Sequence, residues 1–150
     1  PAGIGRIDVT LIHLIYVSSA RQEMDGAGLD RILEASVRNN VSRGVTGMLV
    51  YSAGSFMQLL EGEAAAVDEI YRLIGQDRRH HTITLLERAA IKARSFDRWS
   101  MGFKRLGADD RRVYAAWAPL FESGFNAAEI GAAPGVALSM LTDFCQRQSG

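Results

Sequence analysis

The chain has 150 residues, 47% of them hydrophobic, with 17 basic and 17 acidic residues and a net charge of zero. That is enough for one globular domain with a substantial core and too little for a second full domain. Balanced charge removes the electrostatic case for binding nucleic acid or an anionic membrane surface, and the single Cys145 rules out an internal disulfide. No Cys/His group has metal-site spacing, no apolar run reaches the roughly 18 residues that span a bilayer, and the amino terminus has no signal pattern. A cytoplasmic protein is expected.

In chain order, a glycine-containing tail leads into a strand predicted over residues 8–18. Thr10, Ile12, Leu14, Tyr16 and Ser18 share one face, and Val9, Leu11, His13, Ile15 and Val17 the other, so the strand belongs inside a sheet covered on both sides. A helix is predicted over residues 25–43, its inner stripe formed by Leu29, Ile32, Leu33, Ser36, Val37, Asn40 and Val41. Gly44 can close that helix, which leaves Asn40 able to turn its amide inward rather than act as a cap. Residues 45–62 read as a β-hairpin turning at Ser52-Ala53-Gly54-Ser55. Gln58 shares a face with Phe56 and Leu60, while Met57 and Leu59 point the other way. A glutamine there costs roughly 1 to 3 kcal/mol unless it finds a hydrogen-bond partner, so something polar is expected opposite it.

A second amphipathic helix over 63–74 carries Val67, Ile70, Tyr71 and Ile74 inward. The polar run Gln76 to His81 reads as a solvated loop, with the further reading that Arg79 and His80 meet an anionic ligand tail, since arginine forks suit phosphate. Strands follow over 82–91 and 99–106, the latter with Trp99, Met101 and Phe103 on one face. One helix is expected from Asp109 through Glu122 and another from Pro134 through Gln146, joined by a Gly/Ala-rich connection.

The order strand, helix, two strands, helix, two strands predicts an α+β, ferredoxin-like, five-stranded mixed sheet. Two helices cover one face and the C-terminal helices the other. A helix between the first two strands suggests a parallel neighbour. If Tyr16 and Gln58 lie on neighbouring strands beneath the helix bearing Asn40, the group suits a flat heterocycle, lined by aliphatic residues such as Ile32 and Ile74. A flavin is one candidate. With no glycine-rich dinucleotide loop, it would enter between helices.

Several segments carry a family resemblance: Ile15-Tyr16-Val17-Ser18, Asn39-Asn40, Val45 to Tyr51, Phe56 to Gly62, Asp77-Arg78-Arg79-His80 and Phe96 to Met101. In this order and spacing, over roughly two-thirds of the chain, they resemble the BLUF domains, blue-light receptors that use FAD, in their short single-domain form. The resemblance implies that Tyr16 donates an electron to the photoexcited flavin and that Gln58 bridges the tyrosine and the flavin edge. It also implies that Asn39 and Asn40 hold the ring's carbonyl and imide side, and that Arg79 and His80 lie near the ribityl and phosphate tail. Trp99 and Met101 match residues that rearrange on signalling. Phe56 and Asp77, within the matched segments, complete the expected cofactor-binding set.

FAD is the expected cofactor, with FMN or riboflavin as substitutes. The implied organisation is a flavin-binding photosensor over residues 1–106 and a helical extension over 107–150. No enzymatic output segment follows, so the expectation is a photosensor acting on a protein partner in trans, with a homo-oligomer compatible and neither nucleic acid nor membrane involved. Two other classes stand beside it: a cofactor-free ferredoxin-like interaction module, which would be colourless, and a small flavin oxidoreductase, for which the cleft offers no evident catalytic acid, base or thiol.

Overall fold

The computed structural model describes residues 10–22, 24–97, 101–132 and 135–149. Those residues form β1 (Leu11–Ala20), α1 (Gly26–Arg43), β2 (Thr46–Ser52), β3 (Ser55–Glu63), α2 (Ala64–Gly75), β4 (His80–Ala90) and β5 (Gly102–Arg105). Four shorter or terminal helices follow: α3 (Asp110–Val113), α4 (Ala118–Phe121), α5 (Ala127–Gly131) and α6 (Val136–Ser149). The sheet order is β4-β1-β3-β2-β5. β3 runs antiparallel to both β1 and β2, so those two strands point the same way but are not neighbours as expected. The parallel neighbours are β2 and β5. Tight turn geometry decides this: the Ala53-Gly54 hairpin lets β3 fold straight back onto β2, and β3 thereby occupies the place beside β1.

Both faces are covered. Ile12, Leu14, Tyr16, Leu49, Phe56 and Leu60 pack under α1 and α2, where Leu29, Val67 and Ile70 meet them. Ile15, Val17, Met48, Val50, Met57 and Leu59 face the C-terminal helices and pack against Phe121, Ile130, Met140, Leu141 and Phe144. A Cβ at Gly47 would lie 2.0 Å from the Leu59 carbonyl oxygen, so only glycine lets β2 approach β3 there.

The α1 helix starts where Asp25 accepts from the Gly28 N–H at 2.8 Å and ends at Gly44, left-handed at φ 66°. Its last turn is closed by the Val45 N–H on the Asn40 carbonyl at 3.0 Å. Asn40 is thereby inside the helix and buried, as the glycine cap predicts. Val41, expected in the inner stripe, is 61% exposed. It lies one residue past Asn40, about 100° around the helix and beyond the narrow contact with the sheet.

Other boundaries moved. The first strand runs to Ala20, and residues 8 and 9 lie outside the described residues. β4 begins at His80 rather than Thr82, because His80 and His81 pair with Ala20 and Ser19 across a register shift. Thr82 sits at that irregularity with φ 53°, a rare conformation for a β-branched residue. Polar residues hid this strand end because β4 is an edge strand with one side open to water. The helix expected through Glu122 is two single turns, α3 and α4, because Pro119 lacks the N–H and clashes with the preceding turn. Pro134 lies outside the described residues, as do 98–100, which take Trp99 and the expected start of the last strand with them.

Candidate functional site

Tyr16 and Gln58 are directly opposed in the β1–β3 ladder, with Gln58 also opposite Leu49 of β2. A shared face and direct pairing bring the phenol and the amide together under α1 and α2. Tyr16 Oη donates to Gln58 Oε1 at 2.5 Å. On its other side Gln58 Nε2 donates to Met101 Sδ at 3.4 Å. All three residues are buried. The polar partner that Gln58 requires is therefore Tyr16, and Met101 supplies a soft acceptor from the segment entering β5.

Burial pushes the Tyr16 phenol well above its ordinary range, and the Tyr71 hydroxyl and Asp77 carboxylate add to the effect. The phenol therefore holds its proton at any physiological pH. Tyr71 lies tilted against the Tyr16 ring with centroids 5.6 Å apart.

The cleft beside this pair lies between α1 and α2 and encloses about 100 Å³. Tyr16, Ile32, Asn39, Asn40, Phe56, Gln58, Ile74, Asp77, Arg79 and His80 all line it, so the structure brings the whole predicted cofactor set to one place. Asn40 is buried, whereas Asn39 is exposed at the rim. The sequence reading missed five lining residues: Ala35, Ser36, Leu49, Ile70 and Leu73. Ser36 could have been found, since it lies one helical turn before Asn40 on the same stripe.

Two predicted residues have different surroundings from those expected. His80 is buried, hydrogen-bonds Ser18 Oγ through Nδ1 at 2.8 Å, and donates to the Ile74 carbonyl through Nε2 at 2.8 Å. A carbonyl only accepts, so Nε2 carries a hydrogen. With both nitrogens engaged, His80 braces the wall of the cleft. Its ring stands edge-on to Tyr16 and to Phe56, each at 6.3 Å. Arg79 forks onto Asp77 through Nε at 2.9 Å and Nη2 at 2.5 Å. That guanidinium holds the Asp77 carboxyl below the usual carboxylate range. Trp99 lies outside the described residues.

Aliphatic walls, a phenol and the carboxamides of Asn39, Asn40 and Gln58 fit a flat ring bearing donors and acceptors. A family model described as "Sensors of blue-light using FAD" matches residues 11–102. The chain belongs to this family, the BLUF domains. It is a blue-light sensor that uses a flavin, and the cofactor-free module is thereby set aside. The BLUF region is 35% identical over 95 residues to the photoactivated adenylate cyclase subunit beta of Euglena gracilis, covering 63% of this chain and 11% of that protein. It is 36% identical over 91 residues to the blue light- and temperature-regulated antirepressor BluF of Escherichia coli K12, covering 61% of this chain and 23% of that protein. The chain thus spans a minor part of both curated relatives. Among solved structures, the dark state of the BLUF protein BlrB superposes with a TM-score of 0.71 at 31% identity, covering 89% of this chain and 94% of that one. The photo-activated state of BlsA gives 0.75 at 26% identity, covering 89% and 93%. Among the described residues no helix is long and apolar enough to cross a membrane.

Proposed function

We propose that light sensing in this chain is a proton and hydrogen-bond switch carried by Tyr16, Gln58 and Met101. The observation that carries it is the buried series Tyr16 Oη to Gln58 Oε1, then Gln58 Nε2 to Met101 Sδ, along one edge of the cleft. FAD, when bound, would supply blue-light absorption and the acceptor for both the electron and the proton; Asn40, Asn39 and Ser36 would hold its polar edge between Ile32 and Ile74.

Tyr16 is the electron donor. A phenol that has lost an electron becomes strongly acidic, so its proton passes along the 2.5 Å contact to Gln58 Oε1. Gln58 can then pass a proton on from Nε2 to the reduced acceptor and rotate, exchanging its donor and acceptor ends with no net change in its charge. Return of the electron and proton restores Tyr16 and leaves the rearranged amide. Rotation turns Oε1 toward Met101 Sδ and removes the hydrogen that the sulfur accepts. Met101 is then free to shift, and the strand it precedes shifts with it.

From β5 the route continues through Lys104, which pairs with Asp110 at 3.2 Å and lies over the Tyr114 ring at 5.5 Å. Tyr114 in turn packs edge-on against Phe144 of α6 at 4.7 Å. We place the photosensor in residues 1–106 and the output surface in 107–150, read by a protein partner in the cytoplasm rather than by catalysis within this chain.

Absorption spectra of the purified protein before and after blue light test the switch. The wild type should show a small red shift that relaxes in the dark. Gln58→Leu and Tyr16→Phe should keep the bound flavin and lose the shift. A persisting shift in Gln58→Leu would remove the amide from the mechanism.

A further inference from the structure

Tyr16 has a second phenol beside it. The ring of Tyr71, on α2, is tilted at 52° against the Tyr16 ring with centroids 5.6 Å apart. His80 stands farther off, at 6.3 Å, and an imidazole is harder to oxidise than a phenol. The two tyrosines differ in where their hydroxyls end. Tyr16 Oη is buried and gives its proton to Gln58. Tyr71 is partly buried, and among the described residues its hydroxyl neither makes a hydrogen bond nor counts among the enclosed polar atoms left without one, so it meets water. Tyr71 does not line the cleft, so it touches Tyr16 from outside the space that the flavin ring needs.

We infer that Tyr71 is a second electron donor, through which a small water-soluble reductant such as ascorbate refills Tyr16, giving the chain a further light-driven activity: slow oxidation of that reductant. The inference rests on Tyr16 being the donor to the excited flavin. Once Tyr16 has lost its electron to that acceptor and its proton to Gln58, an electron passes from the Tyr71 ring to the Tyr16 ring across their contact. Tyr16 takes its proton back from Gln58, and Tyr71 releases its own to water. Two phenols exchange an electron at nearly equal potential, and proton loss to bulk water draws the exchange toward Tyr71. A hydrogen atom from ascorbate then restores the Tyr71 phenol. Each pass moves one electron from ascorbate to the flavin, sends one proton to water and leaves both tyrosines unchanged. Direct return of the electron to Tyr16 competes with the hop. The relay therefore accumulates product under continuous light with reductant present, and the reversible red shift is what remains without it.

The full flavin-loaded chain is held under continuous blue light without oxygen, with and without ascorbate. Without ascorbate the wild type should shift reversibly; with it, the flavin absorption band should bleach progressively, faster as ascorbate rises. Tyr71→Phe should keep the shift and lose the bleaching. A nitroso spin trap added in place of ascorbate should leave its covalent adduct on Tyr71 of the wild type, located by peptide mass spectrometry. A wild type that does not bleach, a Tyr71→Phe variant that bleaches as fast, or an adduct confined to other residues overturns the inference. Should Tyr71→Phe lose the red shift as well, the wild-type adduct decides: on Tyr71 it supports the relay, and its absence there overturns it. A Tyr16→Phe variant that still bleaches would instead remove Tyr16 as the primary donor, and the relay with it.

Discussion

At the scale of single residues, Tyr16 couples stability and photochemistry in one hydrogen bond. Tyr16→Phe leaves the buried Gln58 Oε1 without its donor, which should cost roughly 1 to 3 kcal/mol in urea denaturation. The phenol also titrates higher in the folded state than its ordinary 10.0. Above that pH the unfolded chain loses the proton first, so stability owed to Tyr16 is intact below about pH 10 and falls above it, by at most about 1.4 kcal/mol per pH unit. Half-buried Tyr71 is raised by burial as well and adds to the same decline. The alkaline slope should therefore shrink in Tyr16→Phe without vanishing, and an unchanged slope would show that the phenol is not shielded as the structure places it.

Among the elements, β3 is the one that everything else is fastened to. Three residues beyond Gln58, the fully buried Glu61 carboxylate accepts from Thr46 Oγ1 at 2.9 Å, the Ser95 N–H at 2.9 Å and the Phe96 N–H at 2.6 Å. Arg94 completes the clamp by donating to Thr46 Oγ1 and to the Gly44 and Glu61 carbonyls. One strand thus grips the β4–β5 connection with Glu61 and the start of β5, through Met101, with Gln58. Glu61→Leu would strand two backbone donors and a hydroxyl, a loss of roughly 2 to 4 kcal/mol. Thermal unfolding measures that loss, and a second, optical measurement tests the coupling: with residues 95–96 released, dark recovery of the light-induced shift should change in rate. Recovery at the wild-type rate would show that the clamp serves stability alone.

Across the whole molecule the sheet is a partition, with the flavin cleft on one side and the C-terminal core on the other. The hairpin turn is bolted to that second core: Ser52 Oγ donates to the Phe121 carbonyl and Ser55 Oγ accepts from the Phe125 N–H, each at 2.7 Å. Phe144 lies at the centre, fully buried and edge-on to Tyr114 and Phe121. Phe144→Ala should cost about 3 to 5 kcal/mol, yet leave the light-induced red shift unchanged because the cleft lies across the sheet. Hydrogen exchange compared in dark and light tests the proposed route: protection should differ over residues 104–114 and in α6. Identical protection in both states would reduce those helices to a cover.

Periodicity and punctuation were sufficient for the parts of this protein that depend on near neighbours. Alternation along the first and third strands already placed Tyr16 and Gln58 each on a face with its aliphatic neighbours, and Gly44 already freed Asn40 from capping, because face and cap are properties of a few consecutive residues. Two-sided apolar strands likewise required helices on both sides of a sheet. What remained hidden were pairings between distant residues. Only the folded register makes β3 rather than β2 the neighbour of β1, brings Met101 to Gln58, gives both nitrogens of His80 to Ser18 and Ile74, and sets the Tyr71 ring against Tyr16. Such contacts are set by strand order and loop closure, which no local pattern encodes, and a one-residue slip in register would dissolve every one of them.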